Sequence, residues 1–197
     1  MLAFSSVPES LALYLVLIGL VALERLVELA LSTRHARRAL AAGGVEGESR
    51  GFYAAMVGTH AAFLVAAPLE VALGSPPFLP ALGWPMLALV VAAMALRYWA
   101  IATLGERWNT RVIVLPGAPA VTAGPYRWVR HPNYVAVIVE MFALPLVHTA
   151  WRTALFFSAA NALLLARRIA HEESALAAHA DYAARLGDRA RFLPKLR

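Results

Sequence analysis

Arg130, His131, Pro132 and Tyr134 fall together in the stretch GPYRWVRHPNYVAVIVE, Gly124 to Glu140, at the edge of an apolar run. Gly124-Pro125 makes a turn, and His131-Pro132 sets an extended residue ahead of a helix start. Arg130 and His131, with the free N–H groups of that first turn, form an electropositive mouth suited to a carboxylate or phosphate. Tyr126, Trp128 and Tyr134 add aromatic surface and two hydroxyls. Such residue types also gather at membrane interfaces as plain anchors. A second group lies in ARRIAHEESAL, where Arg168 and Glu172 stand four residues apart on one helix face with Glu173 offset from it. Taken alone, that is an exposed ion pair worth ~0.3–0.5 kcal/mol.

Together the two groups offer opposite poles for one zwitterionic ligand. Carboxylates attract an ammonium or sulfonium, and Arg, His and helix N–H groups attract a carboxylate. S-adenosylmethionine has this charge pattern. A third group, Glu24, Arg25, Glu28, Glu70, Arg97 and Glu140, sits inside apolar runs. Charges at such positions face a protein interior or cavity and are functional candidates by default. Glu140 is the candidate nearest an acceptor, and His60 reads as a packing residue. HEESA at His171–Ala175 lacks the second His of a zinc helix, and the chain has no cysteine to offer a thiolate. Phosphate-binding loops of the G-x-x-x-x-G-K-[ST] and G-x-G-x-x-G kinds are missing too.

The elements that position these residues are membrane spans. The 197 residues are 60% hydrophobic and 15% charged; a soluble core of this length could not hide so much apolar surface. Leu11–Leu31, Phe52–Leu73 and Trp84–Leu104 are each long enough to cross a bilayer. Two shorter runs, Tyr134–Val147 and Thr153–Ala166, predict a helical hairpin, with Pro145 kinking or ending its first arm. Beyond Ala166 the apolar positions Ile169, Leu176, Ala180 and Ala183 predict an amphipathic helix from Arg167 to about Leu186. The segment Ala41–Glu48 breaks an extension of the first helix. All 18 Lys and Arg except Arg25, Arg97 and Arg152 fall on one side of a five-span arrangement. The positive-inside rule then puts the N-terminus outside and the C-terminus in the cytoplasm. The net charge of +6 reflects those basic loops rather than nucleic-acid binding. Residues 1–10 carry no Lys or Arg, so no removable signal peptide is expected. The expected class is an all-α integral membrane protein of one domain, in the cell (inner) membrane. Residues 1–104 form its three-helix membrane part and 105–197 its cofactor-binding and catalytic part.

The ordered combination LGERWNTRVIVLPGAPAVTAGPYRWVRHPNYVAV, then RRIAHEESAL, then DYAARLGDRARFLP resembles the isoprenylcysteine carboxyl methyltransferase family of membrane methyltransferases over about residues 104–194. The resemblance implies S-adenosylmethionine as cofactor. It places Arg130, His131, Pro132 and Tyr134 on the family's R-H-P-x-Y motif, and Gly124 and Tyr126 on the turn before it. Arg168, Glu172 and Glu173 fall on its R-x-x-x-E-E element. By this reading Val121, Gly124, Tyr126, Arg130, His131, Pro132, Tyr134 and Glu172 bind the cofactor, while Arg168, Glu173 and Glu140 act in catalysis. Where many members have Gly two residues after the motif Tyr, this chain has Ala136. The N-terminal half is similar to bacterial members, some of them associated with methylating alkylpyrone or alkylresorcinol lipids.

The implied reaction is methyl transfer to an oxygen of a lipophilic acceptor at the cytoplasmic membrane face. A carboxylate or acidic enol is anionic near neutral pH and needs no base, whereas a phenol needs one, with Glu173 and Glu140 as candidates. Two other readings stay open on sequence alone. Membrane reductases of the sterol-reductase type carry a similar R-H-P-N-Y segment and use NADPH, but tend to have Gly-Glu soon after the Tyr, where this chain has Val135-Ala136. A non-catalytic lipid-binding protein would account for the spans.

Overall fold

A computed structural model of the chain describes residues 9–179 and 181–194. It is an all-α membrane bundle with α1 (Glu9–Ala41), α2 (Arg50–Gly74), α3 (Pro80–Leu104), α4 (Pro132–Leu146), α5 (Trp151–His179) and the short α6 (Tyr182–Leu186). Helices α1, α2, α3 and α5 are each long and apolar enough to cross a membrane. Their outward faces carry exposed Leu, Val and Phe, among them Leu13, Leu20, Phe156 and Leu163, as lipid contact requires. The inner seam holds Tyr14, Ile18, Val21, Phe63, Val71, Val90, Met141 and Leu144.

Helix α4 departs from this pattern. At 15 residues it rises about 22 Å, short of the ~30 Å hydrocarbon thickness. It packs against α3 and α5, and Ala136, Ala143 and Leu144 are fully buried. Neighbouring helices therefore shield it from lipid along most of its length. Pro145 lies one residue from its end, as the early stop predicted.

The second arm runs on past Ala166, as the helical pattern beyond it predicted: the apolar run and the amphipathic segment form one continuous helix, α5. Nothing at 166–167 interrupts the backbone ladder, since Ala, Arg and Ile all tolerate a helix interior. Among the described residues, α5 extends to His179 rather than to about Leu186, and a separate short helix, α6, follows with Tyr182 and Leu186 buried. Ala180, Lys195 and Arg197, used in the sequence reading, lie outside the described residues.

One small ladder was not anticipated. Strand β1 (Val45–Glu46) pairs antiparallel with β2 (Ile113–Val114), tying the α1–α2 connection to the long α3–α4 connection. Loop 108–112 is then fastened to α1. The Thr110 N–H donates to Ser32 Oγ at 2.9 Å, and His35 Nδ1 donates to the Trp108 carbonyl at 2.8 Å. At the opposite end of the bundle, Glu70 of α2 caps α5. Its carboxylate accepts the Arg152 N–H at 3.1 Å and both the N–H and hydroxyl of Thr153 at 2.7 Å. This half-buried glutamate thus satisfies helix-end donors that have no partner within their own helix. Glu70→Ala is expected to cost about 1 kcal/mol and to lower the thermal unfolding midpoint in detergent. Glu70→Gln, which keeps an acceptor oxygen, should recover part of the loss.

Candidate functional site

The opening cluster divides in the structure. Arg127 lies over the Trp128 ring at 3.8 Å, and Trp128 meets Trp99 edge-on at 5.4 Å; both indoles are exposed, in the manner of an interfacial anchor. Tyr126, Arg130, His131 and Tyr134 face inward and line a cavity of about 550 Å³. The reason is local. Gly124 takes φ +54, a backbone region that side chains strain, and a Cβ there would collide with the Thr103 hydroxyl of α3. Only glycine lets the turn lie against α3 and swing Tyr126 inward.

The N–H groups of Arg130, His131, Tyr134 and Val135 are not free, contrary to expectation. Arg130 and His131 N–H groups donate to the carbonyls of Ala190 and Arg191 at 2.9 and 3.0 Å. Tyr134 and Val135 N–H groups both point to the His131 carbonyl, and Pro132 has none. The C-terminal segment, remote in sequence, has taken the donors. The positive character of the mouth therefore comes from side chains.

Glu173 gathers those side chains. Its carboxylate takes His131 Nε2 at 3.0 Å, Arg130 Nη1 at 3.1 Å and Arg191 Nη2 at 2.7 Å. Glu172 lies in the cavity wall, hydrogen-bonded by the Tyr134 hydroxyl. Burial, then the Glu172 charge, pushes the Tyr126 phenol above its ordinary range. Burial, then Glu173, pushes Tyr182 up to about 12. Both tyrosines thus stay neutral, and Tyr126, Tyr182 and Trp108 give the wall a largely apolar surface. Val121 also lines it; Pro132 and Ala136 are buried in packing outside it.

Arg168 is the residue around which the site closes, and it is 5% exposed. Its Nε donates to the Tyr134 hydroxyl at 2.9 Å, Nη1 faces the Glu48 carboxylate at 3.3 Å and Met56 Sδ at 3.2 Å, and Nη2 donates to the Thr110 carbonyl. Glu48, whose side chain is 0% exposed, also accepts the Val112 N–H at 2.9 Å. Sequence reasoning missed Glu48. It sits in a Gly-rich turn beside Glu46, and the pattern offers nothing to mark one carboxylate as buried and the other as half-exposed. Gly47 supplies a late clue, since a Cβ there would strike Ala175 and Val112. Asn133 and Tyr182 were likewise missed. Both line the cavity, and the Asn133 Oδ1, the Tyr182 hydroxyl and Arg130 Nε are buried without a partner.

Glu140 lies elsewhere. It is paired with Arg97 at 2.7 Å and Arg25 at 3.2 Å, in a cluster completed by Glu24 and Glu28. Arg25, Glu28 and Arg97 line the inner end of the same cavity, and Glu140 stands behind them. The cavity wall therefore draws on the N-terminal helices as well as on residues 105–197.

Two outcomes are expected of these contacts. Glu48→Ala leaves Arg168 buried without its anion and should destabilise the protein by about 3–5 kcal/mol, read as a thermal shift in detergent. Asp181 accepts the Ala120 N–H at 2.7 Å and pairs with Arg185, which holds its carboxyl below the ordinary aspartate range. A carboxyl lowered on folding stabilises above its unfolded value, near about 3.9, and that contribution is lost as pH falls through the folded one. Hydrogen exchange at Ala120 should lose protection below about pH 4, and at neutral pH in Asp181→Ala.

The model of the isoprenylcysteine carboxyl methyltransferase family matches residues 86–178, from α3 to the end of α5. The chain is 36% identical over 166 residues to Uncharacterized protein YpbQ of Bacillus subtilis, covering 83% of this chain and 96% of that one. It is 31% identical over 153 residues to an uncharacterized protein of Haemophilus influenzae, covering 77% of this chain and 88% of the relative. No solved structure matches.

Proposed function

This chain belongs to the isoprenylcysteine carboxyl methyltransferase family, and from that premise we propose that it transfers a methyl group from S-adenosylmethionine to an oxygen of a lipophilic acceptor. Membership makes it a membrane methyltransferase in general terms. The single observation that carries the finer reading is the shared cavity. It joins a polar mouth bearing both charge signs to an inner end at membrane depth.

The residues of the mouth fit the cofactor. Glu172 would face the ammonium, and Arg130, which keeps N–H groups beyond its Glu173 contact, would face the carboxylate. Asn133 Oδ1 and the Tyr182 hydroxyl, buried without partners, are positioned as hydrogen-bonding groups for the remaining polar atoms. Tyr126 and Trp108 offer surface for the purine. When bound, the cofactor supplies an electrophilic methyl, whose bond to sulfur breaks with its electron pair returning to sulfur as the new O–C bond forms. The chain's part is alignment in a water-poor enclosure. Arg168, held on four sides, fixes the Tyr134 hydroxyl and through it Glu172 in the cavity wall, where the cofactor must be aligned. Glu173 positions Arg130 and His131 rather than touching the cavity itself.

The acceptor enters at membrane depth, where its chain stays among the apolar side chains of Leu26, Leu29, Val57 and Leu64. Carboxylate, enol and phenol are the oxygen classes to consider. A carboxylate would bring another negative charge beside Glu28, where Arg25 and Arg97 are already paired. We therefore favour a weakly acidic hydroxyl, enol or phenol. The basic loops, read by the positive-inside rule, support a cytoplasmic position for this mouth.

Calorimetry on the detergent-purified protein should show S-adenosylmethionine binding and none for NADPH. Arg168→Ala and Glu173→Gln should each lower methyl transfer to a lipid extract, followed with methyl-labelled cofactor, by 100-fold or more. Binding of NADPH instead, or unchanged turnover in Arg168→Ala, would overturn the reading.

A further inference from the structure

The inner end of the cavity has chemistry that the cofactor does not use. Arg25 and Glu28 on α1, His60 on α2 and Arg97 on α3 line it, with Glu140 of α4 behind. Formally, Glu24, Glu28 and Glu140 carry three negative charges against two positive ones on Arg25 and Arg97. The cluster is one positive charge short of balance. Arg25 Nε, Arg97 Nε and Glu28 Oε1 are buried without partners, so its hydrogen-bonding capacity is not exhausted either.

His60 is the imidazole that lines the cavity beside this cluster. Its Nδ1 lies 2.9 Å from the Met56 carbonyl. A carbonyl oxygen only accepts, so Nδ1 carries the proton and Nε2 of the neutral ring is a free base. Tyr53, Met56, His60 and Leu64 follow one another on the cavity face of α2. His60 therefore stands one turn, about 6 Å of rise, beyond Met56, whose sulfur touches Arg168.

We infer that His60 is the general base of the reaction: its Nε2 takes the proton of a neutral acceptor hydroxyl, held at the inner end by Arg25, Glu28 and Arg97. The inference rests on the methyl-transfer reading above. The step balances. The acceptor O–H bond breaks, its proton goes to Nε2, and the oxygen's electron pair forms the bond to the methyl carbon. The ring becomes imidazolium, which brings the cluster to neutrality, and it returns the proton to water once the product has left. Glu140 acts here as a positioning residue: it holds Arg97 and Arg25 and contributes the excess negative charge that favours imidazolium. Glu24 and Glu28 add to that charge, while Arg25 and Arg97 oppose it.

The test uses the full-length protein in detergent with two long-chain alkylphenols of equal chain length, one unsubstituted and one ring-fluorinated so that it is ionised at neutral pH. The wild-type rate with the plain phenol should fall as pH drops and the imidazole protonates. With the fluorinated phenol that limb should be missing at pH values where this phenol remains ionised. His60→Gln should lower turnover of the plain phenol by about 100-fold or more, yet change that of the fluorinated phenol less than threefold. S-adenosylmethionine affinity, read by calorimetry, should stay the same. Glu140→Gln should show the same selective loss to a smaller degree. Equal loss with both phenols, no loss with either, or the same pH limb with both would sink the assignment while leaving methyl transfer standing. If wild-type protein binds the cofactor but methylates neither phenol, the acceptor class is wrong and His60 loses its role as base. If it does not bind the cofactor, the methyl-transfer reading fails first.

Discussion

Everything at the site depends on one buried guanidinium. Arg168 is fixed to α5 and meets the β1–α2 connection through Glu48, α2 through Met56, the α3–α4 connection through Thr110 and α4 through Tyr134. A charge at that depth is tolerated only where anion and hydrogen-bond acceptors surround it. That requirement is an assembly rule. Glu48 must be drawn in, the loop 108–112 must lie across α1, and α4 must turn its Tyr134 face inward. The cavity is the space enclosed when these elements meet.

A second polar centre sits deeper, and its logic is the reverse. Around Arg168 the partners complete a set of contacts. Around Glu140 the carboxylates outnumber the arginines, and several polar atoms stay without partners. Membrane interiors make such imbalance costly, so it persists where a ligand or a proton can redress it. Its residues Arg25, Glu28 and His60 lie outside the 86–178 segment that matches the family. The two centres share one cavity, which suits a reaction between a polar cofactor and an amphiphile that approach from different depths.

The short α4 links the two centres. Tyr134 at its start belongs to the Arg168 set and Glu140, nearly two turns on, to the deeper one. Fully buried small residues, Ala136 and Ala143, let α3 and α5 close on it. The methyl of Ala136 is absorbed in that packing and does not enter the cavity.

Composition and hydropathy alone determined that this is an all-α membrane protein, because apolar runs of this length have no other stable solvent. Local chemistry determined the Gly124 turn, the helix start at Pro132 and the placing of Arg168 and Glu172 on one face of α5, since these depend on residues a few positions apart. The ion pair expected between Arg168 and Glu172 does not form, because the Tyr134 hydroxyl stands between them. Tertiary structure decided the rest. It chose Glu48 over Glu46 as the buried anion and gave the N–H groups of Arg130 and His131 to the C-terminal segment. It turned Glu173 toward the guanidiniums of Arg130 and Arg191 and the imidazole of His131. Each of those outcomes is set by a partner 18 to 120 residues away in sequence. Desolvation makes such a partner obligatory, and no local pattern names it.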